Sequence, residues 1–155
     1  MQFICIGRGI KSEWEVNRLK TGNGKTRGGG IFITDREHFE INKKFFFMNH
    51  VQMDGGGIYL LNCHNIDIRD CLFFMNFAKW GGAIYLEKCS QIRIFHNLFI
   101  LNCAIRDGGA ISLSNCEKVE FVQNNFFMNI GLRSCNHVDL HHCRDIKGVS
   151  TKFIT

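Results

Sequence analysis

Hydrophobic and polar positions along this chain keep returning to one short pattern, in which two apolar residues flank a single variable one. Ile58-Tyr59-Leu60 is followed by Ile66-Asp67-Ile68, Ile84-Tyr85-Leu86 by Ile92-Arg93-Ile94, and Ile111-Ser112-Leu113 by Val119-Glu120-Phe121. Alternation with a period of two, rich in β-branched residues, predicts half-buried strands. The middle position is chemically free: Phe32, Tyr59, Tyr85, Ser112 and Asp139 in the first triplet, Glu40, Asp67, Arg93, Glu120 and Lys147 in the second. Uniform aliphatics around a variable residue place the aliphatics inside. A third short strand carries Phe46, Phe73, Phe99 and Phe126 at one equivalent position.

The pattern is a repeat. A glycine pair and an isoleucine open each unit, in GGGI from Gly28 and Gly55 and GGAI from Gly81 and Gly108, spaced by 27, 26 and 27 residues. A second landmark closes it, and its Asn49, Asn76, Asn102 and Asn129 are spaced by 27, 26 and 27 as well. The period continues after the landmarks fade, from Ile111 and Leu113 to Val138 and Leu140, and back from Ile31 and Ile33 to Ile4 and Ile6. Residues 1–155 therefore read as one domain without a linker, with regular coils over 28–129 and degenerate coils over 1–27 and 130–155. Met1 to Ile6 reads as an inward strand and Lys152 to Thr155 stops inside a third strand. Bare ends of that kind predict either a fragment of a longer chain or end-to-end pairing.

Three strands and three turns per 26–27 residues predict an all-β chain, a right-handed parallel β-helix of about five coils in which each coil bonds only to its neighbours. A leucine-rich repeat shares the period, and Cys116-x-x-Val119-x-Phe121-x-x-Asn124 fits its strand consensus. That fold needs a helical or looser return, whereas here the return holds another strand triplet and a glycine pair. The repeated Asn predicts an amide ladder up the stack. The glycine pairs predict positive φ or a bend too tight for a side chain. In the last coil Cys135-Asn136 stands in for the pair, with Asn136 suited to the left-handed region. In the third strand, Phe46 and Met48 are expected inside. The column Phe47, Phe74, Ile100 and Phe127 then faces out as a packing surface for a flanking segment or another chain.

The paired glycine and Phe-x-x-Asn landmarks, over roughly Gly28 to Asn129, resemble the repeats of chlamydial polymorphic outer-membrane proteins. Similar repeats occur in other large surface proteins of the pectin-lyase-like β-helix superfamily. The resemblance implies a cell-surface or secreted segment used in adhesion. GGGI in the first two units and the missing pair in the last depart from the pattern.

Composition narrows the chemistry. The net charge of +5 is mild and its Lys and Arg are scattered, which argues against a nucleic-acid partner. No apolar run approaches the ~20 residues of a membrane span, and Met1 to Val16 lacks the pattern of an export signal. Cys63, Cys89, Cys116 and Cys143 recur at spacings of 26, 27 and 27. Parallel neighbours about 4.8 Å apart read as stacked buried thiols, with disulfides and metal ligation as alternatives.

Enzymes of the superfamily imply clustered acids and Arg on an outward ladder, for which Glu40, Asp67 and Arg93 are the candidates. Their alternating charge reads rather as an ordinary solvated face, and galacturonase-type motifs are absent from the sequence. Cys135, His137, His141, His142 and Cys143 invite a zinc reading. His137 and His141 lie too far apart along one strand, about 13 Å at ~3.3 Å per residue, to share an ion. No cofactor is expected. The outward aromatics Phe32, Tyr59 and Tyr85 are the candidate ligand-binding residues, either as a platform for sugar rings or as a stabilising stack. The sequence thus predicts a non-catalytic binding or adhesion module with a glycan or cell-surface partner, possible self-association end to end or face to face, and no membrane span. The alternatives are a polysaccharide lyase or hydrolase and a structural spacer.

Overall fold

The computed structural model describes residues 26–149 and 152–154, so the degenerate coil read at the start falls outside the described residues save for its last two positions. The first triplets form one parallel sheet of five strands, Ile31–Thr34, Ile58–Leu61, Ile84–Glu87, Ile111–Ser114 and Val138–His141. Their register sets Ile31 beside Ile58, Ile84, Ile111 and Val138 in turn, so residues one repeat apart in sequence are neighbours in space. The second triplets form a second five-stranded sheet from Glu37–Asn42 to Arg144–Val149, and the third strands another from Phe45–Phe47 to Lys152–Ile154. All pairings are parallel, and the return of each described repeat is made of further strands in the second and third sheets, which excludes a leucine-rich repeat.

A fourth, minor ladder was not legible in the alternation. Phe77–Ala78, Cys103–Ala104 and Ile130–Gly131 pair just after the repeated Asn. Two residues per strand are too few to print a period. This ladder explains the second glycine of each pair: a Cβ on Gly82 would stand 2.2 Å from the Gly109 carbonyl oxygen and 2.6 Å from that of Cys103. The first glycines, Gly28, Gly55, Gly81 and Gly108, have φ between 57° and 67°, the left-handed geometry that glycine enters without a Cβ penalty.

The inward columns make the core. Ile58, Ile84 and Ile111, with Leu60, Leu86 and Leu113, are wholly buried under the first sheet. Phe46, Phe73, Phe99 and Phe126 stack with centroids 4.7 Å apart at each step and rings within 6° of parallel. Burying each such side chain contributes about 1.5–3 kcal/mol before chain entropy is set against it.

Polar groups inside this core are satisfied by the neighbouring coil. Asn76 Nδ2 donates to Asn102 Oδ1 at 2.9 Å, and Asn102 Nδ2 donates to Asn129 Oδ1 at 2.8 Å. The same oxygens accept from backbone: Asn76 N to Asn102 Oδ1 at 3.0 Å and Asn102 N to Asn129 Oδ1 at 2.9 Å. The second amide hydrogen of Asn102 reaches the Phe73 carbonyl at 3.0 Å. The expected amide ladder is therefore present. A second one, Asn97 to Asn124, sits at the corner between the second and third sheets. Its predecessor in the stack is Cys71, whose backbone N donates to Asn97 Oδ1, so the sequence hid the repeat.

Single left-handed residues turn the chain at each corner, and two expectations change there. Met48, with φ of 51°, is thrown outward and is 59% exposed, so that Asn49 rather than Met48 follows Phe46 inward. In the last coil Cys135, not Asn136, holds the left-handed backbone, at φ 55°. The Asn136 side chain instead accepts from Gly108 N at 3.0 Å.

The stacked thiols of Cys63, Cys89 and Cys116 are buried, as is Cys71, and neither these four nor the more exposed Cys103, Cys135 and Cys143 form a disulfide. Each of the stacked thiols points to a backbone carbonyl of the coil before it, for instance Cys89 Sγ to Leu60 O at 3.6 Å. Burial raises the Cys71 thiol to about 11.

The Asn ladder yields a direct test. Replacing Asn102 by Ala removes four hydrogen bonds and leaves buried partners in two other coils unsatisfied, each costing about 1–3 kcal/mol. Denaturant titration should show Asn102→Ala losing about 3–5 kcal/mol, against under about 0.5 for the exposed Gln52→Ala. Equal losses would show that the ladder does not hold the coils.

Candidate functional site

Three outer faces are available for function, and their chemistry differs. On the second sheet the candidate carboxylates are already neutralised. Arg93 Nε donates to Asp67 Oδ1 at 2.8 Å and its second nitrogen pairs with Asp67 Oδ2. Glu40 pairs with Arg69, which also holds Asp70 at 2.7 Å. Glu120 and Lys147 continue the column in register. Glu40, Asp67 and Arg93 therefore lie together as expected, but as a run of exposed ion pairs, each pair worth only about 0–1 kcal/mol.

The first sheet is different, because its outward residues lie between two flanking columns. Phe32, Tyr59 and Tyr85 stack with centroids 5.1 and 5.5 Å apart and rings 6° from parallel. Ring faces therefore meet one another, and what the stack presents outward is ring edges and phenolic hydroxyls. Tyr59 is 1% exposed, whereas Phe32 and Tyr85 are half-buried. Ser112 and Asp139 extend the column, with Ser112 Oγ donating to Asp139 Oδ2 at 3.4 Å.

One flank is the turn residue directly before each glycine pair: Arg27, Asp54, Trp80 and Asp107. Arg27, Asp54 and Trp80 pair in parallel bridges. The Arg27 guanidinium donates to Asp54 Oδ2 at 2.8 Å and lies 5.3 Å from the Tyr59 ring centroid, so it roofs both. The indole of Trp80 has Lys79 at 4.4 Å and Arg106 at 5.9 Å from its ring centroid. The other flank follows the strand ends, Leu61, Glu87, Ser114 and His141. There Tyr59 Oη donates to Glu87 Oε2 at 2.8 Å. Burial, and then this bond, raise the Tyr59 phenol well above its ordinary value; burial raises Tyr85 also.

At the far end of the groove, Asp107, Asp139 and His141 bring one ligand atom each to within 4.8 Å of one another. His141 Nε2 is 3.2 Å from Asp139 and Arg133 is 3.9 Å from Asp107. A hard cation takes about six to eight oxygens, and these three groups offer two carboxylates and an imidazole nitrogen, at most half of such a shell at one atom each. The Cys–His cluster of the last coil does not converge. Cys143 continues the thiol stack, Cys135 is exposed at its corner, and the His137 ring lies beside Phe126, 6.2 Å between centroids. Of that cluster only His141 joins the groove.

Sequence reasoning found the floor of this groove and missed its wall. Arg27, Asp54, Trp80 and Asp107 differ in type, so they print no motif, yet they recur at 27, 26 and 27 residues. The same period was the signal that could have found them.

A family model described as a right handed beta helix region matches residues 4–144. No curated protein and no solved structure matches the chain.

The buried carboxylate of Asp54 gives the site a pH signature. Its Oδ1 is buried without a hydrogen-bond partner among the described residues. Burial raises the group above its ordinary 3.8, with Arg27 pulling the other way. The folded state then holds this proton more tightly than the unfolded one. Its stabilising share is complete below about pH 4 and is lost as pH rises through the folded value. Denaturation of wild type and Asp54→Asn across that range should show wild type losing stability relative to the variant as pH rises. A constant difference would mean the carboxylate is not desolvated.

Proposed function

The chain belongs to the right-handed β-helix family, and on that scaffold we propose a non-catalytic binding module of adhesion type, in a surface or secreted protein. Its ligand is an extended glycan lying along the outer face of the first sheet. One observation carries this reading: that face sets aromatic edges between two flanking columns that supply an indole and carboxylates, over about 19 Å from Phe32 to Asp139. Tyr85 and Trp80 supply apolar contact, and the phenols and carboxylates supply the hydrogen-bond partners that sugar hydroxyls need. The resemblance of the paired landmarks to surface-protein repeats supports the surface assignment.

The acids of the groove favour binding over catalysis because each already has a partner. Asp54 pairs with Arg27, Glu87 accepts from Tyr59, Asp107 faces Arg133 and Asp139 faces His141. A general acid or base needs a carboxyl free to exchange its proton with substrate. The second reading, a carbohydrate-active enzyme, is favoured by one feature, the closeness of Asp107, Asp139 and His141.

A glycan array probed with the purified chain, with turnover of acidic polysaccharides followed in parallel with and without Ca²⁺, separates the two. The expected result is binding without turnover, weakened about tenfold (about 1.4 kcal/mol) by Trp80→Ala or Tyr85→Ala. Cleavage abolished by Asp139→Asn would replace the proposal with the enzyme. Binding untouched by both aromatic substitutions would move the ligand off this face.

A further inference from the structure

The third sheet has an outer face that the groove does not use, and its sequence differs in kind from the other two. Strands of the second sheet alternate, apolar inside and charged outside, as in Ile66-Asp67-Ile68 and Ile92-Arg93-Ile94. Third-sheet strands with the corner residue that follows read FFFM, LFFM, LFIL and NFFM. Parallel strands covered on both faces read as continuous apolar runs; strands with a solvated face do not. Inside, the run supplies the stacked Phe46, Phe73, Phe99 and Phe126. Outside it supplies a column of Phe47, Phe74, Ile100 and Phe127, in parallel register. The corner residues Met48, Met75, Leu101 and Met128 form an exposed column beside it.

We infer that this face is where a second copy of the chain docks, sheet against sheet. Area is the first argument. Phe45, Phe47, Met48, Met75, Leu101 and Met128 are each 40–59% exposed. At ~200 Å² per large apolar side chain they leave roughly 600 Å² uncovered, already the upper end for the largest patch on a monomer. Two copies would bury about 1,200 Å² before the half-buried Phe74, Ile100 and Phe127 are counted, which reaches the size of a specific, stable interface.

Charge is the second argument. With the outward column of Phe45, Leu72, Leu98 and Asn125 added, the face holds no Asp, Glu, Lys or Arg as far as Met128, and only Lys152 follows Asn125 in register, so the +5 of the whole chain is not concentrated where two copies meet. Symmetry is the third. A two-fold axis lying between the two sheets, perpendicular to the direction of stacking, lays the Phe47 end of one copy on the Phe127 end of the other, a self-complementary contact that closes as a dimer. The methionines suit it, because their unbranched side chains fill the irregular gaps between two ridged sheets.

Sedimentation equilibrium of the whole chain, over a wide range of concentration, reads the mass of the species directly. A rise from 17.9 kDa toward twice that value is expected. The Met75→Lys, Met128→Lys double variant should remain at the monomer mass with unchanged circular dichroism. Lysine already occupies left-handed corners at Lys43 and Lys88, so the substitution introduces no new backbone strain. A second measurement needs no variant. Peroxide footprinting of wild type should oxidise Met48, Met75 and Met128 severalfold more slowly at high protein concentration than at low, while Met53, off this face, keeps its rate. A monomer at every concentration overturns the inference, as does a dimer indifferent to the double variant. Protection of the three methionines only by added phosphatidylcholine vesicles also overturns it, and gives the face to a lipid surface.

Discussion

Among the described residues, every coil rests on its neighbours through parallel backbone hydrogen bonds, and those bonds fix equivalent residues about 4.8 Å apart in columns. A buried group therefore finds its partners chiefly in the neighbouring coil, at or beside the residue one repeat away. Apolar residues tolerate this readily, and the phenylalanine stack is the simplest case. Polar residues tolerate it only when they can both donate and accept along the column. An amide side chain can, because its oxygen and nitrogen face opposite neighbours. Asn76 and Asn102 do so while also holding backbone groups at the corner, and Asn129 ends the column, accepting from Asn102 and donating back to the Phe99 carbonyl. The rest of the architecture, from the left-handed corner residues to the glycine pairs, serves to bring those columns into line.

The same constraint shapes the outer faces, with a different outcome on each. Columns of charge on the second sheet pair along the stack, as Asp67 with Arg93 and Glu40 with Arg69, and are spent on one another. On the third sheet the outward columns are apolar: Phe47 stacks on Phe74, and Met48, Met75, Leu101 and Met128 beside them stay exposed. On the first sheet, aromatic rings stack face to face, and two flanking columns bury them partly. A ligand at that groove meets edges and hydroxyls rather than open ring faces. The roofing of Tyr59 by Arg27 follows from the same crowding.

Sequence alone conveyed the fold because the information is periodic. Alternation named the two main strands, the landmarks set the register, and the aliphatic triplets named the core. What alternation could not convey was the direction of a residue at a corner. A left-handed backbone reverses parity, so Met48 points out where the strand pattern places it inside. Interrupted columns were also hidden: Cys71 in place of Asn concealed the second amide ladder. The groove was half legible. Phe32, Tyr59 and Tyr85 share a chemistry and could be seen as a column, whereas Arg27, Asp54, Trp80 and Asp107 share only a spacing. Which acids are neutralised is a matter of side-chain reach, and no pattern of residue types conveys it.

If buried amides bind the coils together, the backbone N–H groups of Asn76 and Asn102, which donate to side-chain oxygens in the next coil, should open only when the stack itself opens. Residue-resolved amide hydrogen exchange measures this directly. The account predicts that these two amides exchange as slowly as those of the strand residues Ile84 and Ile111, with the free energy of global unfolding. Exchange at the rate of the exposed corners, while Ile84 and Ile111 stay protected, would contradict it and leave the phenylalanine and isoleucine columns to hold the helix alone.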